Sequence, residues 1–108
     1  MMETLTRNAY RVPVDFRKIE KDWTSEGFSF GVFRDPPGQE WNNFVHSTDE
    51  YVLVADGKLE MSVGNEQLTA GPGDLVRIPK GANHSIKTLS SQGSVWLYGY
   101  GHWRQDDD

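Results

Sequence analysis

The sequence predicts an all-β domain of the sandwich or barrel kind, and three observations carry that expectation. About eight short runs alternate apolar and polar residues at a spacing of roughly 8–12 residues, which is the rhythm of such folds. The 11 glycines and 5 prolines fall mostly between these runs rather than inside them. No convincing amphipathic helix interrupts the series.

In chain order, residues 1–9 are polar and read as a loose end, and Tyr10-Arg11-Val12 reads as a first edge strand closed by Pro13. Asp15 to Trp23 carries Phe16, Ile19 and Trp23 in a mixed pattern that fits one turn of helix or an irregular connection. Gly27 to Phe33 alternates, with Phe28, Phe30 and Val32 on one side, as in a half-buried strand. Asp35-Pro36-Pro37-Gly38 is a turn, because two prolines cannot sit within a sheet. Strand character returns at Glu40 to Val45 and at Tyr51 to Ala55, and Asp56-Gly57 has the chemistry of a tight hairpin. Leu59, Met61 and Val63 share one face of the next run, and Gly64-Asn65-Glu66 turns it. Gln67 to Ala70 and Leu75 to Ile78 are short strands separated by Gly71-Pro72-Gly73-Asp74. Residues His84, Ile86 and Thr88 then alternate against Ser85, Lys87 and Leu89. The last strand, Val95 to Tyr100, is apolar on both faces.

Composition narrows the function classes. A chain of 108 residues holds one core, so residues 1–108 are expected to form a single domain with its ordered part at about 10–103. The formal charge of −5 and the acidic end Asp106-Asp107-Asp108 argue against nucleic acid and anionic membranes as partners. No run approaches a membrane span, and the start MMETLTRNAYR lacks an apolar signal region, so a cytoplasmic location is expected. There are no cysteines, which leaves imidazole, carboxylate and water as the only ligands for a metal.

Two stretches carry chemistry. The first, GQEWNNFVHSTDEYVLVADG from Gly38 to Gly57, places His46 and Glu50 four residues apart. The second, GDLVRIPKGANHSIKT from Gly73 to Thr88, delivers His84 behind a turn built on Pro79 and Gly81. Two histidines and a carboxylate from separate strands can meet as a metal site. Positions 44 and 46 share a strand face by the two-residue period, and Glu50 has the same parity.

These stretches resemble the two motifs of the cupin superfamily. The first family motif is commonly G-x5-H-x-H-x3-E-x6-G, and Gly38, His46, Glu50 and Gly57 match it, with Phe44 in place of the first histidine. The second is commonly G-x5-P-x-G-x2-H-x3-N, matched by Gly73, Pro79, Gly81 and His84, with Thr88 in place of the asparagine. The resemblance implies a double-sheet jelly-roll barrel. It assigns His46, Glu50 and His84 as ligands of a divalent ion (Fe, Zn, Mn or Ni), with the fourth protein ligand absent and Phe44 forming an apolar wall.

Two function classes fit this reading. One is a metal-dependent enzyme, led by an oxygenase or related activity on a small organic substrate. The other is a non-catalytic module binding a sugar, an acid or another small ligand, with a weakened or absent metal site. Glu40, Arg77 and Tyr98 are further candidates for reaching the pocket, whereas His102, Asp49, Lys80 and Lys87 read as solvated surface. Phe28, Phe30 and Phe44 are expected to fill the barrel. If Val95 and Leu97 do so as well, Trp96, Tyr98 and Tyr100 form an outward aromatic patch, for which a homodimer is the expected cover.

Overall fold

Alternation becomes structure along β5 (Leu59–Val63), where Leu59, Met61 and Val63 are buried while Glu60 is exposed. The computed structural model describes residues 3–103, so the acidic end at 106–108 lies outside it. The other strands are β1 (Leu5–Thr6), β2 (Gly31–Asp35), β3 (Glu40–Phe44), β4 (Asp49–Asp56), β6 (Glu66–Ala70), β7 (Leu75–Ile78), β8 (His84–Thr88) and β9 (Ser94–Gly101). They form two antiparallel sheets in the orders β1-β7-β4-β9-β2 and β3-β8-β5-β6. From β2 onward every consecutive connection changes sheet except the β5–β6 hairpin, whose tip is Gly64-Asn65. This is the double-sheet jelly roll that the motifs imply.

The core between the sheets draws Val52, Val54, Val76, Ile78 and Trp96 from one and Leu59, Met61, Val63, Ala70 and Ile86 from the other. A second apolar cluster lies on the opposite face of the five-stranded sheet, beneath α1 (Phe16–Ser25), the one helix among the described residues. The Asp15 side chain caps α1 by accepting from the Arg17 and Lys18 amides at 3.1 and 3.2 Å. Ile19 and Trp23, one helical turn apart, are buried against the sheet. Trp23 stacks on Tyr51 with ring centroids 5.1 Å apart. Burying an indole of this size stabilises by about 4–6 kcal/mol before the entropy of fixing it. The undecided segment at Asp15–Trp23 is therefore a capped helix of nearly three turns.

The helix explains several corrections. Because it covers the outer face, β4 and β9 are buried on both sides, and parity alone does not say which residues face inward. Trp96 is only 3% exposed within the inter-sheet core, Tyr98 packs against that core, and Leu97 faces the helix. The aromatic set of β9 thus points inward, the reverse of the outward patch expected. Phe28 and Phe30 belong to the cluster under α1 rather than to the inter-sheet core, and Phe44 is partly exposed.

Other differences are local. Leu5–Thr6, not Tyr10–Val12, forms the edge strand, pairing with Val76 and Leu75. Residues 7 and 8 are held as well, by Arg7 and the Asn8 amide binding Asp74 at 3.0 Å each. Asp56-Gly57 makes no hairpin, since β4 and β5 lie in different sheets. Its glycine is still required: φ is +86°, and a Cβ there would sit 2.5 Å from the Gly93 carbonyl oxygen. The same backbone demand serves a turn that hands the chain from one sheet to the other.

Candidate metal centre

The site forms where the β3–β4 loop meets the β7–β8 turn. Pro79 follows β7, and Gly81 at φ +82° reverses the chain so that His84 opens β8. The Gly81 amide donates to the His46 carbonyl at 2.9 Å, which ties the two motif segments together. Asp49 reinforces the tie. Only 5% exposed, it accepts from the Lys80 amide at 2.9 Å and the Trp103 amide at 2.8 Å. The expectation of a solvated Asp49 is therefore corrected to a buried staple that holds the turn carrying His84.

His46, Glu50 and His84 do converge. Their ligand atoms all lie within 4.8 Å of one another. Glu50 Oε1 is 3.6 Å from His46 Nε2 and 3.4 Å from His84 Nε2. Two donors on one ion at zinc-like bond lengths are separated by about 3.4 Å, so both distances suit a shared cation. His46 arrives differently from the expectation. It sits in the loop after β3 rather than within a strand, because a bulge between Trp41 and Phe44 puts Asn43 at φ +60°. Its ring is nonetheless held in place, nearly parallel to Phe44 (12°, centroids 6.2 Å apart) and edge-on to Tyr100 at 5.0 Å.

The electrostatics point the same way. His84 Nδ1 lies 3.2 Å from the Ala82 carbonyl oxygen, an acceptor that fixes the proton on Nδ1 and leaves the Nε2 lone pair facing Glu50. Glu50 Oε1 is buried and has no hydrogen-bond partner among the described residues, with His84 Nε2 3.4 Å away. A carboxylate oxygen facing an imidazole lone pair needs a proton or a cation between them. Burial lowers the His84 pKa, but its contact with Glu50, the Ala82 carbonyl and the Glu50 charge together raise it above the ordinary histidine value.

That shift has a testable sign. With the folded pKa raised, the His84–Glu50 ion pair contributes stability that is complete below the unfolded value near ~6.5. The contribution is lost as pH rises through the folded value. A divalent ion requires the neutral ring, so its stabilisation grows over the same interval. The upward shift in unfolding temperature on adding Zn²⁺ is expected to be larger at pH 8 than at pH 5.5. Thermal scans showing an equal shift at both pH values would contradict this assignment.

A cavity of about 170 Å³ opens at His46, Glu50 and His84, lined also by Phe33, Trp41, Phe44, Ile86, Trp96 and Tyr100. Trp41 and Trp96 each donate their indole N–H to Asp35 Oδ2 at 2.9 Å. Asp35 was legible only as a turn residue; it pins both rings. The Tyr100 hydroxyl is pushed up to about 12 by burial, the Glu50 charge and Tyr98, so it stays a neutral phenol at physiological pH. Of the further candidates, none lines this cavity. Glu40 faces Lys87 on the outer surface, Arg77 binds Thr6 Oγ1 at 2.7 Å, and Tyr98 packs into the core one position short of the site. His102 is exposed, as expected.

The fold is a jelly roll that carries a two-histidine, one-carboxylate cluster able to hold a metal ion. The chain belongs to the cupin family: the profile described as a cupin domain matches residues 31–100. A protein of unknown function from Rhizobium leguminosarum is similar at 31% identity and a TM-score of 0.62, covering 69% of this chain and 70% of that one. An RmlC-like cupin from Shewanella frigidimarina shares the fold at 16% identity and a TM-score of 0.63, over 73% of this chain and 69% of that one. So does a Thermus thermophilus protein, at 22% identity and 0.63, over 69% and 73% respectively. No curated protein matches the sequence significantly. Among the described residues, no helix is long and apolar enough to cross a membrane.

Proposed function

We propose that this cupin binds a single divalent ion through His46, Glu50 and His84 and uses it on a small organic molecule. The buried, unpartnered Oε1 of Glu50 between two imidazoles carries this reading. When bound, an ion in such a donor set supplies redox or Lewis-acid chemistry at its open positions, as in facial-triad iron and three-ligand zinc sites. The chain's own residues do the rest. Tyr100 offers a neutral phenol as hydrogen-bond donor, and Phe33, Trp41, Phe44 and Trp96 give the pocket an apolar face. The test is calorimetry on chelator-stripped protein with Zn²⁺, Mn²⁺ and, under nitrogen, Fe²⁺. One ion bound per chain is expected. Silence with all three ions overturns the metal reading and leaves an organic-ligand pocket.

A second reading, a non-catalytic binding cupin, draws on Phe44, which occupies the fourth ligand's position and pairs directly across from His84. Homodimerisation stays in the proposal on new grounds, since β9 no longer supports it. Strand β3 is an open sheet edge, and Val45 just beyond it is 58% exposed. Light scattering at tens of micromolar is expected to return twice the chain mass; a monomer mass rejects the dimer.

A further inference from the structure

The cavity beside the cluster is divided by chemistry. Its groups that can bind a polar atom come from His46, Glu50, His84 and Tyr100, which cluster together, the His84 and Tyr100 rings each 5.0 Å from that of His46. The remaining wall is Phe33, Trp41, Phe44, Ile86 and Trp96. Two of those side chains have a polar atom, and in both it is already used. The indole N–H groups of Trp41 and Trp96 converge on the same oxygen of Asp35, a residue that does not line the cavity. What they present inward is ring surface alone. Among the described residues, no lysine or arginine lines the space.

From this division we infer that the site selects a molecule of about one ring, apolar over most of its surface, that carries a single anionic oxygen group. The inference deepens the metal reading above and rests on it. Three constraints define the ligand. Size is the first: the space is about 170 Å³, and a cavity of about 150 Å³ holds benzene. Charge is the second. A divalent ion held by one carboxylate and two neutral imidazoles leaves one formal positive charge, and a monoanion matches it where no basic side chain adds more. Polarity is the third. Hydroxyl groups spread around a sugar ring would face Trp41, Phe33 and Trp96 with no partner, and each one left unpaired lowers affinity by about tenfold. The ring wall thus argues against the sugar ligand that the sequence leaves open.

Phe44 sets the mouth of this site. It is 39% exposed, with its ring centroid 6.2 Å from that of Trp41, 6.2 Å from that of His46 and 6.3 Å from that of His84. A ring entering with its anionic group toward the cluster meets Phe44 first and keeps contact with it when seated. Where a histidine would add a metal donor, this chain has placed a selector for apolar ligands.

The experiment uses the full chain loaded with Zn²⁺, after the zinc titration has itself been read. Benzoate, acetate and glucuronate are then compared by calorimetry. All three are monoanions; acetate lacks the ring, and glucuronate has a ring covered with hydroxyls. Benzoate is expected to bind at least about tenfold more tightly than either of the others. Phe44→Ala is expected to weaken benzoate by roughly three- to tenfold, as loss of one aromatic contact does, and to leave acetate unchanged. The variant's melting curve checks that it folds, and ring-current shifts of the bound benzoate protons give a readout independent of the variant. Failure of zinc to bind rejects the metal reading and this inference with it. Zinc bound with glucuronate equal to or tighter than benzoate, or with no benzoate bound at all, overturns the ligand class alone.

Discussion

Glu50→Gln will abolish divalent-cation binding and yet raise the unfolding temperature of the chelator-treated protein at pH 8.5. Glutamine keeps the shape of the side chain and removes its charge. In the metal-free protein rising pH takes the proton from His84, whose pKa is raised by its surroundings, and leaves Glu50, 3% exposed with one oxygen unpaired, with no cation beside it. Relieving an uncompensated buried charge stabilises by about 1–3 kcal/mol, or several degrees for a chain of this size. Affinity for zinc should fall at least about a hundredfold, because an amide oxygen brings no charge to the ion. His84→Ala shares only the loss of binding. It empties a space in a packed region, strands Glu50 further, and should lower the unfolding temperature. Were Glu50 merely a structural residue, both variants would melt earlier than the native chain. A drop in the glutamine variant's melting temperature at pH 8.5 therefore counts directly against a site strained for metal.

The two motifs announced this cluster because its residues are tied to backbone events that leave marks in a sequence. Pro79 must end a strand, Gly81 must adopt a positive φ, and His84 then begins the next alternating run. Alternation also grouped Leu59, Met61 and Val63, and Ile86 with Thr88, on shared faces that are buried in the structure, since β5 and β8 have one covered face and one wet one. Where that contrast vanishes, so does the signal. On β9 both residue sets are apolar because α1 seals the outer face, and nothing in the run itself ranks Leu97 against Trp96 for the interior. The bulge at Asn43 shifts the count between Trp41 and Phe44, so parity could not place His46 on a strand.

Buried carboxylates were the other blind spot. Asp35 and Asp49 look like turn and surface residues, because an aspartate's partners are amides and indoles that come from distant segments. One joins residues 41 and 96, the other 80 and 103. Neither touches the cluster, but each fixes something that does: Asp49 the turn leading to His84, Asp35 the rings of the ligand wall. The site therefore depends on charges at positions that neither motif specifies.

Phe44→His should tighten zinc binding by about tenfold or more and weaken benzoate in the same protein. The register sets Phe44 directly opposite His84 on neighbouring strands, and its ring lies about equally far from both histidines. An imidazole there adds a fourth nitrogen donor on the side that is now apolar, and one added donor of even 1.4 kcal/mol is a factor of about ten. The site has room for it, since the position is 39% exposed and imidazole is smaller than phenyl. The opposite effect on benzoate follows from the same geometry, because the new ligand occupies an open position of the ion and removes an aromatic face from the mouth. A change in general packing would move both affinities in one direction, whereas a donor exchanged for a selector moves them apart. If zinc affinity stays where it was while the variant melts like the native chain, position 44 does not border the ion. The apolar wall would then be unrelated to the missing ligand.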